Sequence, residues 1–323
     1  MKLKLSGFLQ YRFNVFLYKW LGWEICIYYI LFLGKLYFLL NRKEKGKITH
    51  SISYVFGGRK DRADLKEISK KVFNGILCHY YEKIFNAYED NEGLKDFFKR
   101  NIEARHLHKL DNALKNGRGV LFVTGHYGAI EYIPIFLAMK NYPISVVAKF
   151  ATKQLEETLY AKTKDIGLRI INANKDHVLK RIMRELKDNR IVFIECDEIE
   201  EWRPSKRDRM WFLGKWIEID KSIDTIKRRA GAEIIFGILH RFNLNRYCLI
   251  MENYQDMLSK IGTQKERVGE VALKYLEEYI YSYPEEWYQW KNYYYIGGHN
   301  SPDRSEKGER THSSFKPAFG NVS

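Results

Sequence analysis

The chain alternates between short apolar runs and amphipathic segments, and this order restricts the folds open to it. Gly119 to Thr124 (GVLFVT) and Ile191 to Cys196 (IVFIEC) are short, nearly unbroken apolar runs, as expected of strands buried on both faces. Between them, His177 to Lys187 repeats apolar residues at the spacing of a helix. The same order continues to about Met251, with a further helix predicted over Ile219 to Arg229. It predicts an α/β fold with a mostly parallel central sheet flanked by helices.

Another apolar segment lies near the N-terminus. Leu21 to Leu40 (LGWEICIYYILFLGKLYFLL) is apolar and aromatic except for Glu24 and Lys35. Its longest uncharged part is about half of the roughly 20 residues that a spanning helix needs. Cationic residues lie on both sides of it, whereas a spanning helix usually has them mainly on one side. These features favour a helix that lies in the interface of an anionic leaflet, with a full span and a buried core helix as alternatives.

Composition divides the chain into three parts. We expect a membrane-associating helical segment over residues 1–48 and the α/β domain over residues 49–296. Residues 297–323 are rich in Gly, Ser, Pro and mixed charge without periodicity, which predicts a disordered tail. The four cysteines are scattered without a CxxC pair, which argues against a zinc ribbon and a disulfide framework. No metal or other cofactor is expected.

The net charge points to an anionic partner. The chain has 55 Lys and Arg residues against 40 Asp and Glu residues, a formal charge of +15. Nucleic acid, a membrane surface and a phosphorylated substrate all fit this excess. Residues 1–60 hold 11 of the cations and only two acidic residues, so much of the excess flanks the apolar segment. A membrane is therefore favoured over the rival hypothesis of a non-catalytic nucleic-acid-binding protein, for which the sequence has no aromatic RNA-binding motif.

The best candidate for catalysis follows the first predicted buried strand. The strand ends at Thr124, Gly125 permits a tight turn, and His126 precedes a predicted helix. In open α/β sheets, ligands bind in the crevice at this end of a strand. If His126 lies on the loop, its ring can fold back onto Glu131, which would fix one tautomer and raise the basicity of the imidazole. A histidine that only caps the helix is the alternative, since this spacing alone does not identify an enzyme.

The stretch Gly117 to Glu131 (GRGVLFVTGHYGAIE) resembles the signature block of the bacterial lipid A biosynthesis (lauroyl/myristoyl) acyltransferase family. That family is part of the lysophospholipid acyltransferase superfamily, whose H-x4-D/E motif corresponds here to His126 and Glu131. Gly128 matches the glycine inside the motif. Other blocks follow in the family's order over about residues 10 to 295, including SYVFG from Ser53, DNRIVFIECD from Asp188, WFLG from Trp211 and YPEEWYQW from Tyr283.

The resemblance implies a glycerol-phosphate-acyltransferase-like fold and an acyltransferase activity. The donor would be an acyl thioester of acyl carrier protein or coenzyme A. The acceptor would be a glycolipid or phospholipid-like molecule at the cytoplasmic face of the inner membrane, and no nucleic acid partner is implied. His126 would be the general base and Glu131 would orient its ring, so that no covalent enzyme intermediate is needed.

Other substrate contacts are expected around the same crevice. Gly128 would line it, and Lys149 and Asp197 follow predicted strands that end there, with an ordinary surface lysine and a structural cap as the alternatives. Ala129, Lys149 and Glu198 stand where the family often has Asn, Arg and Gln, and a lysine lacks the two-pronged geometry of arginine. The segment from Arg203 to Phe212 is predicted as a loop. Its cations could hold a lipid phosphate or an acidic carrier, or form only a solvated face: Arg203, Lys206, Arg207 and Arg209.

Overall fold

The computed structural model describes residue 9 and residues 12–150, 153–198, 204–262 and 267–296. Among the described residues, five helices with defined bounds come before the first strand of the sheet. They are α1 (Arg12–Leu21), α2 (Trp23–Leu40), α3 (Arg42–Phe56), α4 (Arg62–Tyr88) and α5 (Asn91–Asn101). The predicted tail, residues 297–323, lies outside the described residues.

Strands and helices then alternate, as the apolar pattern predicts, except for two pairs of consecutive strands in the second half. The first half contains β1 (Ile102–Arg105), α6 (Leu107–Lys115), β2 (Val120–Thr124), a 3-10 helix (Ile130–Tyr132), α7 (Ile133–Met139), β3 (Ile144–Ala148), α8 (Lys153–Lys164), β4 (Arg169–Asn172), α9 (Val178–Lys187) and β5 (Ile191–Glu195). The second half contains β6 (Pro204–Phe212), β7 (Lys215–Asp220), α10 (Ser222–Ala230), β8 (Glu233–Asn243), β9 (Arg246–Asn253), α11 (Tyr254–Ile261), α12 (Val268–Ser282), a second 3-10 helix (Pro284–Glu286) and α13 (Trp290–Tyr293).

The central sheet has seven strands in the order β1-β9-β8-β2-β5-β3-β4. The strands β8, β2, β5, β3 and β4 are parallel to one another, while β9 pairs antiparallel with β8 and parallel with β1. All five residues of β2 are buried, because helices cover both faces of a parallel sheet. The predicted α/β fold with a mostly parallel sheet is confirmed.

The prediction of a loop from Arg203 to Phe212 is wrong for its described part. Pro204–Phe212 forms β6, which pairs antiparallel with β7 in a separate two-stranded sheet. The two strands turn at Leu213 and Gly214, both with positive φ angles. Alternate side chains of the hairpin are buried, which is the two-residue period of a strand: Met210, Phe212, Ile217 and Ile219. The helix predicted from Ile219 begins at Ser222, because Ile219 belongs to β7.

The N-terminal apolar segment forms α2, and its two faces differ. Trp23–Leu40 is, among the described residues, the one helix long and apolar enough to cross a membrane. One face packs on α4 so closely that a Cβ atom on Gly34 would lie 2.1 Å from Leu77 Cδ2. The opposite face exposes large apolar side chains at helical spacing, and α1 has a similar face. We call these the exposed apolar faces: Phe13, Phe16 and Trp20 of α1, and Ile25, Tyr28, Phe32, Leu36 and Leu39 of α2.

Candidate active site

The site lies where β2 and β5 end side by side. Their register places Thr124 opposite Glu195, and the amide of Cys196 donates to the Thr124 carbonyl oxygen at 2.7 Å. His126 and Asp197 each follow two residues beyond this last pair. The parallel pairing therefore brings together two side chains that are far apart in the sequence, at the edge of the sheet where ligands usually bind.

Asp197 fixes the orientation of His126. The Asp197 carboxylate is fully buried and accepts from the His126 backbone amide at 2.9 and 3.1 Å. Its Oδ1 lies 2.9 Å from Nδ1 of the His126 ring, and its Oδ2 accepts from Trp287 Nε1 at 2.7 Å. Because an ionised carboxylate only accepts, Nδ1 of His126 carries the proton in this contact. In a neutral ring this leaves Nε2 as the basic nitrogen.

The other ring nitrogen of His126 faces Glu198. Its Nε2 lies 3.2 Å from Glu198 Oε2, and the Glu198 side chain is 40% exposed whereas the imidazole is 14% exposed. Burial by itself would lower the pKa of His126, but Asp197, Glu198 and Glu195 outweigh it and raise this pKa well above its ordinary value. The ring is therefore an imidazolium at neutral pH in this arrangement. It becomes a base when the Nε2 proton leaves.

Glu131 is paired with side chains of α4. It lies in the 3-10 helix that follows the His126 loop, and its Oε1 accepts from Lys83 Nζ at 2.8 Å. The same oxygen lies 3.9 Å from His79 Nε2. The nearby Glu131 charge raises the pKa of Lys83, so this lysine stays cationic. In this structure the two ring nitrogens of His126 contact Asp197 and Glu198, and the role predicted for Glu131 in orienting the ring stays a prediction.

Tyr288 connects the two groups of side chains. Its ring stacks on His79 at 3.6 Å between centroids and meets the His126 ring edge-on at 5.1 Å. Its backbone amide donates to the His126 carbonyl oxygen at 3.2 Å. Burial is the main cause that lowers the pKa of His79 well below its usual value, so His79 is neutral at pH 7. The sequence gives no direct sign of these contacts, although Trp287 and Tyr288 lie in the YPEEWYQW block.

Gly128 holds the loop that carries His126 close to β8. Its φ angle is +59°, and its amide donates to the Glu286 carbonyl oxygen at 2.8 Å. A Cβ atom at this position would lie 2.0 Å from the Leu239 carbonyl oxygen. Only glycine combines this backbone conformation with so close an approach. Gly128 therefore shapes the turn that presents His126.

Beneath the loop lies a buried ion network. Arg241 on β8 pairs with Glu82 on α4, where Nη2 and Oε2 are 2.8 Å apart, and with Glu286, where Nη1 and Oε1 are 3.2 Å apart. All three side chains are nearly or fully buried. A buried charge left without its partner is costly. The network therefore ties α4, β8 and the 3-10 helix at Pro284–Glu286 together around the loop.

The comparison with known families decides the identity of the chain. The family model for bacterial lipid A biosynthesis acyltransferases matches residues 11–290, which is most of the sequence. The chain belongs to this family. It is therefore an acyltransferase, with an acyl donor and a lipid acceptor as its general partners. None of the curated proteins matches the chain significantly.

The other residues predicted to contact the substrate of this acyltransferase are Lys149 and the four cations of the segment from Arg203 to Phe212. Lys149 is exposed just beyond the end of β3, the strand next to β5. Arg209 lies on the hairpin, 63% exposed and 3.6 Å from Glu218. Lys206 and Arg207 are part of β6, but their side chains are outside the described part of the chain, as is all of Arg203.

Cys196 is unsuited to act as the nucleophile of the acyltransferase. It lies between Glu195 and Asp197, and its side chain is buried. Burial, followed by the nearby Asp197 charge, raises the pKa of the Cys196 thiol well above its ordinary value. A thiol must lose its proton to attack a thioester. Direct transfer from donor to acceptor, without a covalent enzyme intermediate, would need no such step.

The loop geometry gives a stability prediction. Gly128→Ala and Gly117→Ala both place a Cβ on a residue with positive φ, but no atom lies within 4 Å of the Cβ site at Gly117. Gly117→Ala should lower the free energy of unfolding by about 1–2 kcal/mol, the cost of the backbone conformation. Gly128→Ala should cost roughly 1–3 kcal/mol more because of overpacking against Leu239. Urea unfolding measures both. Equal costs would show that the loop can move away from β8.

Proposed function

We propose that this acyltransferase moves a fatty acyl chain from the thioester of acyl carrier protein or coenzyme A to a hydroxyl or amine of a membrane glycolipid or related amphipathic acceptor. The observation that carries the proposal is the His126 ring at the ends of β2 and β5, with its Nδ1 held by the buried Asp197. A histidine fixed through Nδ1 offers Nε2 as a base. The family match over residues 11–290 supports acyl transfer as the reaction that this base assists.

The reaction needs one base and no covalent intermediate. Neutral His126 takes the acceptor's proton on Nε2 as the acceptor atom attacks the thioester carbonyl carbon. The tetrahedral intermediate then expels the thiolate, which receives the proton from His126. Asp197 stabilises the imidazolium between these steps, because its carboxylate lies 2.9 Å from Nδ1. Glu198 is partly exposed, so it can move aside when the acceptor approaches Nε2.

Glu131 and the basic residues have supporting roles in this proposal. Glu131, which pairs with Lys83 and lies near His79, would stabilise the imidazolium of His126 through its negative charge. The ring of Tyr288 contacts His126 at the same site. Gly128 would shape the substrate site by fixing the loop that carries His126. Lys149 would contact the donor or acceptor at the carboxyl end of β3. Arg209, and with it Arg203, Lys206 and Arg207, would attract the acidic carrier protein or a lipid phosphate.

The exposed apolar faces of α1 and α2 support binding to the membrane surface. One face of α2 packs on α4 through Gly34, so only its opposite face is available to lipid. We therefore propose that residues 1–48 lie in one leaflet of the membrane and do not cross it. Residues 49–296 would carry out catalysis. The flanking lysines and arginines would contact anionic headgroups. Acyl thioesters of carrier protein and coenzyme A are cytoplasmic, which fits an active site at the cytoplasmic face of the inner membrane.

Vesicle binding tests this attachment. The double variant Tyr28→Glu/Phe32→Glu places two charges on the exposed face of α2, where the side chains are 73% and 63% exposed. It should bind vesicles of phosphatidylglycerol and phosphatidylethanolamine at least about tenfold more weakly, since each ring contributes roughly 1.5–3 kcal/mol when buried in lipid. Leu179→Glu, on the partly exposed α9, is the control and should bind normally. Normal vesicle binding by the double variant, or salt-sensitive binding to DNA by a wild-type protein that ignores vesicles, would contradict the proposal.

The function is tested by lipid mass spectrometry. Cells that produce the intact protein should contain a lipid heavier by one acyl chain than the lipid in cells that lack it. The mass difference gives the length of the acyl chain, and the mass of the lipid that gains it identifies the acceptor. Purified protein should carry out the same transfer from an acyl thioester. Identical lipid profiles, together with no transfer by the purified protein, would contradict the proposed function.

A further inference from the structure

The carboxylate that orients the base has a second side-chain partner. Trp287 follows the 3-10 helix at Pro284–Glu286, and its side chain is fully buried. Its indole Nε1 donates to Oδ2 of Asp197 at 2.7 Å, while Oδ1 of Asp197 lies 2.9 Å from Nδ1 of the His126 ring. The indole and the imidazole therefore bind different oxygens of one buried carboxylate.

Backbone contacts hold this carboxylate in place without the indole. The backbone amide of His126 donates to both oxygens of Asp197, at 2.9 and 3.1 Å. What the indole adds is the positive end of an N–H dipole beside Oδ2. In a buried place, where water does not compete, such a dipole stabilises the charge of a carboxylate strongly.

We propose that Trp287 acts on the reaction through Asp197: its indole N–H takes up part of the carboxylate charge, so that the His126 imidazolium is not held too firmly to give up its Nε2 proton. Trp287 is thus a positioning residue that does not touch the substrate. The inference rests on the proposed function, because it concerns the base of the same site.

The direction of the effect follows from the signs of the charges. Asp197 helps to raise the pKa of His126 because a negative charge stabilises the imidazolium. The indole N–H offsets part of that negative charge, so its removal should raise the pKa of His126 further. A mere loosening of the contact between Asp197 and His126 would have the opposite effect, since it would weaken the stabilisation of the imidazolium.

Other charged and titratable groups also face the His126 ring. Residues 199–203 and the side chains of residues 204–208 lie outside the described part of the chain. A difference between the wild type and a variant at Trp287 does not depend on the sum of these charges, because the groups are present in both proteins. The described ones come from β5 and the residues after it, from the 3-10 helix, from α4 and from the segment before α13: Glu195, Glu198, Glu131, His79, Lys83 and Tyr288.

The pH profile of Trp287→Phe tests the proposal. The full-length protein is assayed with a lauroyl thioester of acyl carrier protein, and the lipid extract of cells that lack the protein supplies the acceptor. The rising limb of kcat/KM should move up by about 0.5–1 pH unit, because the N–H acts on the ring only through Asp197. Below the limb the rate should fall about 3–10-fold, and above it, where His126 is neutral in both proteins, the two rates should converge.

A second measurement reads the same change without activity. Proton–carbon NMR follows the titration of the His126 ring, whose signal is assigned by its loss in His126→Ala. The midpoint of this titration should move up with the limb. A rate that falls equally at every pH, with an unmoved midpoint, would assign Trp287 a structural role only and overturn the proposal.

Trp290→Phe is the matched control. Trp290 is also fully buried, and its Nε1 donates at 2.8 Å to the carbonyl oxygen of Pro284, which is not a group of the site. The rings of Trp287 and Trp290 are 5.0 Å apart, so the two variants remove the same atoms from one aromatic cluster and should lose similar stability. Trp290→Phe should keep the limb and the NMR midpoint of the wild type. Equal shifts in both variants would overturn the role of the Trp287 donor.

An analogue of the same size serves if Trp287→Phe does not fold. Benzothienylalanine in place of Trp287, introduced by nonsense suppression, has a sulfur atom where the indole has its N–H, and so it removes the donor without leaving a cavity. An unchanged limb, or a limb that moves to lower pH, would overturn the role of Trp287 and leave the proposed function standing. Absence of acyl transfer by the wild type would contradict the proposed function, and the NMR midpoint would still decide whether the indole acts on His126.

Discussion

His126→Ala is expected to lower kcat/KM for acyl transfer by about 10²–10⁴-fold, the usual contribution of a general base. The loop should keep its shape, because it is held by backbone contacts of Gly128 and Tyr288 that do not involve the ring. Vesicle binding should also be normal, since the exposed apolar faces belong to α1 and α2. Thioester consumption with a lipid acceptor measures the activity, and circular dichroism and vesicle sedimentation measure the other two properties.

The matched control for this variant is His108→Ala. His108 is exposed on α6, and its replacement should leave the rate within the error of the wild type. Wild-type activity in His126→Ala would show that another group removes the acceptor proton. A loss of activity accompanied by unfolding would instead assign His126 a structural role.

Much of the fold follows from local patterns. The buried run of β2 and the amphipathic pattern of α9 each reflect the surroundings of a single element, and these can be read from a few neighbouring residues. The hairpin of β6 and β7 was not predicted. The first residues of β6 are mostly charged, and the alternation of buried and exposed side chains that is typical of a strand begins only at Met210. The parallel pairing of β1 with β9, by contrast, joins strands that are far apart in the sequence, and no local pattern encodes it.

The site was predictable only in part, because several of its contacts join residues that are far apart in the sequence. His126 and Glu131 stand in one short block, so spacing and resemblance suggest them together. The contact between His126 and Asp197 instead depends on the register of β2 with β5, across 71 residues of sequence. Lys83 reaches the site from α4 and Trp287 from the segment before α13. Such contacts are fixed by tertiary packing, and the sequence shows only that polar or aromatic residues are available.

The position of Asp197 leads to a second large effect. Asp197→Asn should lower kcat by about 10²–10⁴-fold. The Asn side chain has one oxygen and one NH₂ group, whereas both oxygens of Asp197 now accept from N–H groups of His126 and Trp287. If the NH₂ group faces Nδ1 of His126, the ring must carry its proton on Nε2 and cannot act as the base. If it faces Trp287, two donors meet in a buried place, which costs stability.

The pH profile separates this role from a purely structural one. Asp197 helps to raise the pKa of His126, and the ring acts as a base only above that pKa, so activity should rise with pH through it. Removing the Asp197 charge lowers the pKa of His126, and the rising limb of kcat/KM should move to lower pH as the plateau falls. Glu131→Gln should move the limb less, because Glu131 pairs with Lys83 at 2.8 Å. If Glu131→Gln moves the limb and a folded Asp197→Asn does not, Glu131 is the direct partner of the base.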